Sequence, residues 1–81
     1  MKFAVSVEVR LREGIADPQG QTIERSLPAL GFEGIEGVRV GKLIQFEIDA
    51  ADADTARLSV EEMCERFLAN PVIEDAAVTI G

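Results

Sequence analysis

Apolar and polar residues alternate strictly along residues 3–11 of this chain. One side of the alternation is apolar and the other is small or charged: Phe3, Val5, Val7, Val9 and Leu11 against Ala4, Ser6, Glu8 and Arg10. A period of two is typical of a β-strand with one face on a core. The pattern therefore predicts a first strand whose odd-numbered residues are buried.

A helix is predicted to follow this strand, beginning after Asp17. The Asp17 carboxylate can accept the free N–H groups of the first turn, and Pro18 suits the first helical position. The 3.6-residue period places one apolar stripe on this helix, formed by Ile23, Leu27 and Leu30. Pro28 leaves the Glu24 carbonyl without its helical partner, so we expect a frayed or kinked last turn. Gly31 ends the helix in the left-handed conformation.

The stretch from Val38 to Ile48 is open to more than one interpretation. A two-residue turn at Gly41–Lys42 would make a hairpin, but it would bring Gln45 and Glu47 into the core. The apolar residues keep even numbers throughout: Val38, Val40, Ile44, Phe46 and Ile48. Either a three-residue turn runs from Gly41 to Leu43, or residues 38–48 form one long strand bent at Gly41.

A second helix is predicted, capped by Asp52 or Asp54. Its apolar stripe contains Ala56, Val60, Met63, Cys64 and Phe67. Leu58 points away from that stripe and is a candidate contact residue. Asn70 and Pro71 end the helix. The last strand is predicted to bury Ala76, Val78 and Ile80.

Each half of the chain is thus a strand, a helix and a strand. This order predicts an α+β fold, a two-layer sandwich β-α-β(β)-α-β of ferredoxin-like kind, with two helices on one face of an antiparallel sheet. Residues 1–81 are expected to form a single domain. A chain of this size buries only about 60–65% of its extended surface, so association with other chains would relieve a marginal stability.

The net charge of −7 is unevenly distributed. Residues 1–42 carry six basic and six acidic groups, whereas residues 43–81 carry two basic and nine acidic ones. Phosphate backbones repel such a surface, so nucleic acid is not an expected partner. The acidic half is either a solvated helix face or a docking surface for a basic partner. The chain has no apolar run long enough for a membrane span and no signal-peptide pattern, which favours the cytoplasm.

Candidate chemistry is sparse. The chain has no histidine, which removes the usual general base and the commonest transition-metal ligand. Cys64, the only cysteine, lies on an apolar stripe and is expected to fill the core. Gly41–Lys42 lacks the remaining residues of a phosphate loop. We therefore predict no catalytic, cofactor-binding or metal-binding residues.

Partner contacts are the predicted role of the remaining special residues. These residues are Arg39, Gly41, Lys42 and Leu58. The competing interpretation pairs Arg10 and Arg39 with Glu8 and Glu47 across strands.

Three junctions in the chain carry a resemblance to a known family: Asp17–Gly20, Val38–Lys42 and Asn70–Asp75. Their order and spacing resemble the PurS family, the small subunit of formylglycinamidine ribonucleotide synthetase. The resemblance extends from the strand Phe3–Val7 through Leu30–Phe32 to Val78–Ile80.

The resemblance implies a non-catalytic structural subunit in purine biosynthesis. Such a subunit bridges a glutaminase subunit, which releases ammonia, and a large ATP-dependent subunit, which consumes it. A homodimer or tetramer, a cytoplasmic location and no cofactor are implied as well. The alternative that the residues leave open is an ACT-like regulatory domain that binds a small molecule between subunits.

Overall fold

The computed structural model describes residues 1–81 and contains a three-stranded sheet and two α-helices. The elements follow in the order β1 (Lys2–Leu11), α1 (Pro18–Ser26), β2 (Gly41–Asp49), α2 (Ala53–Met63) and β3 (Glu74–Ile80). A 3₁₀ turn (Pro28–Leu30) follows α1, and a π turn (Cys64–Leu68) follows α2. The predicted α+β class is confirmed.

The sheet has the order β2-β1-β3, with both neighbours antiparallel to β1. Val7 of the central strand lies opposite Ile44 of β2 and Val78 of β3. The alternation predicted for β1 is confirmed in the middle of the strand, where Val5, Val7 and Val9 are fully buried, whereas Phe3 and Leu11 near its ends are only partly buried. Both outer strands leave one edge without a neighbouring strand in the single chain.

Gly41 begins β2 and does not form a hairpin turn, since it pairs with Arg10 of β1. The two-residue hairpin at Gly41–Lys42 is therefore wrong, and so is the three-residue turn ending at Leu43. Residues 38–40 lead into β2 without pairing to another strand. A Cβ at position 41 would lie 2.7 Å from the Val9 carbonyl oxygen, so glycine is needed where the two backbones approach.

Helix α1 begins where the sequence predicts and ends earlier than its apolar pattern suggests. Asp17 caps it, and the chain leaves the α-helical form at Ser26, just before Pro28 begins the 3₁₀ turn. Proline has no N–H to continue the helical ladder. Gly31 then adopts φ +96°, the left-handed conformation expected of it.

Asp52, rather than Asp54, caps α2 by accepting the Thr55 N–H at 2.7 Å.

The apolar stripe predicted for α2 is wrong near its C-terminal end, where the chain forms a π turn. There the Ala69 N–H donates to the Cys64 carbonyl at 3.1 Å, a spacing of five residues. A π turn holds more residues than an α turn, so the residue that faces the core is one position later than the α-helical period predicts. Phe67 is 87% exposed and Leu68 packs on the core instead.

The core is small and lies between the sheet and α2. Its centre consists of Val5, Val7, Val9, Val60 and Cys64. Partly buried residues surround it: Ile44, Phe46, Ile48, Leu68, Ala69, Val78 and Ile80. The prediction for β3 holds for Val78 and Ile80, whereas Ala76 is exposed.

Helix α1 contributes no residue to this core. Ile23 and Leu30, two of its three predicted stripe residues, are exposed, and Leu30 is 71% accessible. The molecule is accordingly elongated, with extents of 51 × 25 × 15 Å. Its radius of gyration is 16.3 Å, against about 12 Å for a compact chain of this length.

The register of β2 yields a paired test. Ile44 lies on the core face opposite Val7, whereas Gln45 lies on the other face opposite Ser6. Ile44→Asp should reduce the free energy of unfolding by about 2 kcal/mol or more, because it brings a carboxylate against the core. Gln45→Asp should stay within about 0.5 kcal/mol of the parent protein. Urea denaturation measures both, and a larger loss for Gln45→Asp would contradict the register.

Candidate partner-binding site

Asp17 joins the start of α1 to the entrance of β2. One carboxylate oxygen accepts the Gly20 N–H at 2.9 Å, which caps the helix. The other accepts the Val40 N–H at 2.7 Å, although Val40 lies 23 residues further along the chain. Asp17 is only 4% exposed, so its carboxylate is shielded from water.

The electrostatics of Asp17 follow from these bonds. The N–H groups of Gly20 and Val40 favour the ionised carboxylate and hold the pKa of Asp17 below its ordinary value. The nearby Arg39 guanidinium acts in the same direction, and burial opposes it. The carboxylate is therefore charged at neutral pH.

Two further contacts fix α1 along residues 38–40. Glu24 accepts the Val38 N–H at 3.0 Å through its side chain. A Cβ on Gly20 would collide with the Val38 carbonyl oxygen, so glycine allows the helix to lie directly against this segment. We call residues 17–40 the arm, comprising the cap, α1, the 3₁₀ turn and the loop through Val40.

Arg39 ties the arm back to the end of β1. Its guanidinium donates to the Ile15 carbonyl at 3.1 Å and to the Arg12 carbonyl at 3.2 Å. The cross-strand pairing that competed with a partner-contact role is not found for Arg39. It is not found for Arg10 either, because the Arg10 guanidinium pairs at 2.7 Å with Glu8 of its own strand.

A concavity of about 760 Å³ lies where the arm meets the sheet. Three of the four predicted contact residues line it, namely Arg39, Gly41 and Lys42. Lys42 forms no ion pair, so its charge is available to a partner. The fourth predicted residue, Leu58, is not part of the concavity and lies on α2 with 69% of its surface exposed.

The residues of the molecule do not assemble a metal centre or a reactive thiol. No group of three or more potential ligands among Cys, Asp and Glu is close enough together to hold a metal ion. Cys64 is buried, and that burial raises the pKa of its thiol. No helix has the length and apolar character needed to cross a membrane.

One feature of the arm escaped the sequence-based reasoning. Glycines recur at every third position, and each is followed by an apolar residue: Gly31–Phe32, Gly34–Ile35 and Gly37–Val38. All three glycines have positive φ, at 96°, 79° and 72°. Phe32 and Ile35 are exposed. The three-residue spacing of the glycines was the available signal.

The fold and the site define a small α+β protein whose candidate site is a binding surface between a sheet and a protruding arm. The PurS family model, described as phosphoribosylformylglycinamidine (FGAM) synthase, matches residues 4–81. The chain belongs to the PurS family.

Relatives match over nearly the whole chain. The phosphoribosylformylglycinamidine synthase subunit PurS of Methanothermobacter thermautotrophicus is 42% identical over 81 residues, which cover 100% of this chain and 95% of the relative. The Bacillus subtilis subunit is 41% identical over 73 residues, covering 90% of this chain and 86% of the relative.

A structural neighbour comes from a larger assembly. The structure of PurLQS from Thermotoga maritima contains a chain with a TM-score of 0.91 and 33% identity. The match covers 100% of this chain and 99% of that chain. The fold is therefore one that a chain of that assembly also adopts.

The Asp17 bridge predicts acid sensitivity of the arm. Because the pKa of Asp17 is lowered on folding, its stabilisation is complete above about the ordinary value of 3.8 and is lost as pH falls below it. Asp17→Asn should lower the protection factor of the Val40 amide at pH 7, since a neutral amide is a weaker acceptor than a carboxylate. Amide hydrogen exchange followed by NMR measures this protection.

The control is Asp52→Asn, which removes the corresponding carboxylate cap from α2. That variant should leave the Val40 amide as protected as in the parent protein. Equal loss of Val40 protection in both variants would contradict a local bridge.

Proposed function

We propose that this chain is a non-catalytic structural subunit of the cytoplasmic phosphoribosylformylglycinamidine synthase of purine biosynthesis, acting as one unit over residues 1–81. In this proposal it bridges a glutaminase subunit and a large ATP-dependent subunit, so that ammonia passes between them. The observation that carries the proposal is the full-length match to a chain of the PurLQS assembly. Family membership favours this role over an ACT-like regulatory domain.

Two separate surfaces support a bridging role. One is the concavity that contains Arg39, Gly41 and Lys42. The other is the outer side of α2, where Leu58 is exposed beside the acidic residues Glu61 and Glu62. Because the first surface offers positive charge and the second offers apolar area among negative charges, they suit partners of different character.

Self-association as a homodimer or tetramer is part of the proposal. Only 8 of 81 residues are buried in the single chain, so the core by itself is small. Large apolar side chains remain exposed on several elements, including Leu30, Phe32, Leu43 and Phe67. These side chains favour association, because removing apolar surface from water is favourable.

A reconstitution by omission tests the proposed role. The purified chain should show no glutaminase and no ATPase activity, because it offers no histidine and its thiol is buried. Glutamine-dependent synthesis by the glutaminase and large subunits should require its addition. Full glutamine-dependent synthesis without the chain would overturn the bridging role.

Charge reversal in the concavity should weaken the assembly. Lys42→Glu replaces an unpaired positive charge with a negative one, and we expect roughly three- to tenfold weaker binding to a partner subunit. The matched control is Lys2→Glu, the same change on an exposed residue near the other end of the β1–β2 pair. Lys42 is a cleaner probe than Arg39, whose guanidinium also holds two carbonyls.

Biolayer interferometry against each partner subunit measures the effect, after sedimentation has shown that self-association is unchanged. If Lys42→Glu and Lys2→Glu bound a partner subunit with equal affinity, the concavity would not be a partner-binding surface. A shift in melting temperature on adding an amino acid or a nucleotide to the isolated chain would instead favour the ACT-like alternative.

A further inference from the structure

The outer edge of β3 has backbone groups without a partner strand. The Gly81 N–H donates to the Ala4 carbonyl at 2.8 Å, so the odd-numbered residues at this end of the chain bond to β1. In an antiparallel pair the residues between them direct their N–H and C=O groups to the opposite side. The backbone groups of Glu74, Ala76 and Val78 therefore lie along the outer edge of the sheet.

Two contacts limit the open part of this edge. At one end the Glu74 N–H donates to the Asn70 carbonyl at 2.8 Å. At the other end the Arg57 guanidinium of α2 donates to the Val78 carbonyl at 3.0 Å. Between these contacts the Glu74 carbonyl, both backbone groups of Ala76 and the Val78 N–H have no partner within the chain. The open edge is thus long enough for a short extended segment.

An acidic cavity lies beside this open edge. Its volume is about 470 Å³, and its lining includes Glu61 and Glu65 on the helical side and Ala76 on the strand. Both glutamates are exposed, and neither forms an ion pair. The only basic residue in the lining, Arg12, is already paired with Asp75 at 3.2 Å. The cavity therefore suits a positively charged side chain.

We propose that the β3 edge binds an extended basic segment of another protein, which adds to the sheet as a short strand. Such a segment lies about 4.8 Å from β3, and alternate side chains point toward α2. Main-chain hydrogen bonds to Ala76 hold the segment, and Glu61 and Glu65 favour a lysine or arginine side chain in the cavity. This inference names the chemistry of one partner segment in the proposed function and rests on that function.

A pair of peptide probes with equal charge tests the strand addition. The first probe is a fluorescein-labelled peptide of alternating lysine and threonine, and the second has the same sequence with every backbone nitrogen methylated. The parent protein should bind the first probe about tenfold more tightly in fluorescence polarisation, because only that probe donates main-chain hydrogen bonds. The Ala76 amide should also gain protection from hydrogen exchange when the first probe binds.

A proline substitution tests the edge itself. Ala76→Pro removes an outward N–H and no bond to β1, and proline is tolerated on an edge strand. It should weaken binding of the first probe about tenfold, since one main-chain donor is lost and the edge is blocked. The matched control is Gln45→Pro, the same change at an outward N–H of β2, which should bind like the parent protein. Circular dichroism verifies that both variants are folded.

A charge substitution tests the cavity. The double variant Glu61→Gln, Glu65→Gln should bind the first probe about tenfold more weakly, because it removes the two unpaired carboxylates. The matched control is Glu47→Gln, Asp54→Asn, which removes two charges from exposed residues outside the cavity. The control should stay within about twofold of the parent protein.

The outcomes separate the inference from the proposal on which it rests. Equal binding of the two probes, parent-like binding by Ala76→Pro, or no binding of the first probe at millimolar concentration overturns the strand addition. Parent-like binding by Glu61→Gln, Glu65→Gln overturns the choice of a basic segment. If Ala76→Pro does not fold, the two probes and the exchange of the Ala76 amide decide the matter with the parent protein. The bridging role is decided independently by reconstitution with the partner subunits.

Discussion

The shape of this protein depends on the Asp17 carboxylate. One side chain caps α1 and also binds the Val40 N–H at the entrance of β2, so the start of the arm and its end are fixed at one point. Without the second bond, nothing but Glu24 and Arg39 would set the direction in which α1 leaves the sheet. The position of the concavity and the exposure of the arm's apolar side chains both follow from this contact.

The two helices contribute differently to the structure. Helix α2 completes the core with Val60 and Cys64, and it makes the sheet a folded unit. Helix α1 adds nothing to that core and instead carries apolar surface outward. The core thus depends on α2, and substitutions on the exposed surface of α1 need not disturb it.

Much of the fold could be predicted from local patterns. The alternation in β1, the Asp17 cap, the glycine at position 31 and the even-numbered core face of β2 all follow from rules that act within a few residues. These rules decide which residues form an element and which side of it is apolar. The alternation in β2 correctly excluded the two-residue hairpin, because such a turn would have buried Gln45 and Glu47.

What the sequence did not reveal depends on contacts between distant residues or on backbone irregularity. The bond from Asp17 to Val40 joins positions that no periodicity relates. The exposed stripe of α1 looks the same in sequence whether it packs on its own sheet or on another chain. Phe67 was misassigned because a π turn adds a residue where the 3.6-residue period was assumed.

Arg39, Gly41 and Lys42 lie in one concavity because the three residues are nearly adjacent in sequence, and their role as partner contacts stays a prediction. Leu58 was placed correctly on an exposed surface. No local rule, however, states how that surface lies relative to the concavity.

The placement of β1 in the centre of the sheet has a consequence for how the chain acquires its structure. Val5 lies opposite Phe46 on one side and opposite Ile80 on the other, so the first strand completes its pairing only when the last strand arrives. Contacts of such wide sequence separation carry a loop-closure cost before they stabilise anything, and they slow folding. While a ribosome is still synthesising β3, one edge of β1 has no partner strand. The three-stranded sheet can form only after β3 has been synthesised.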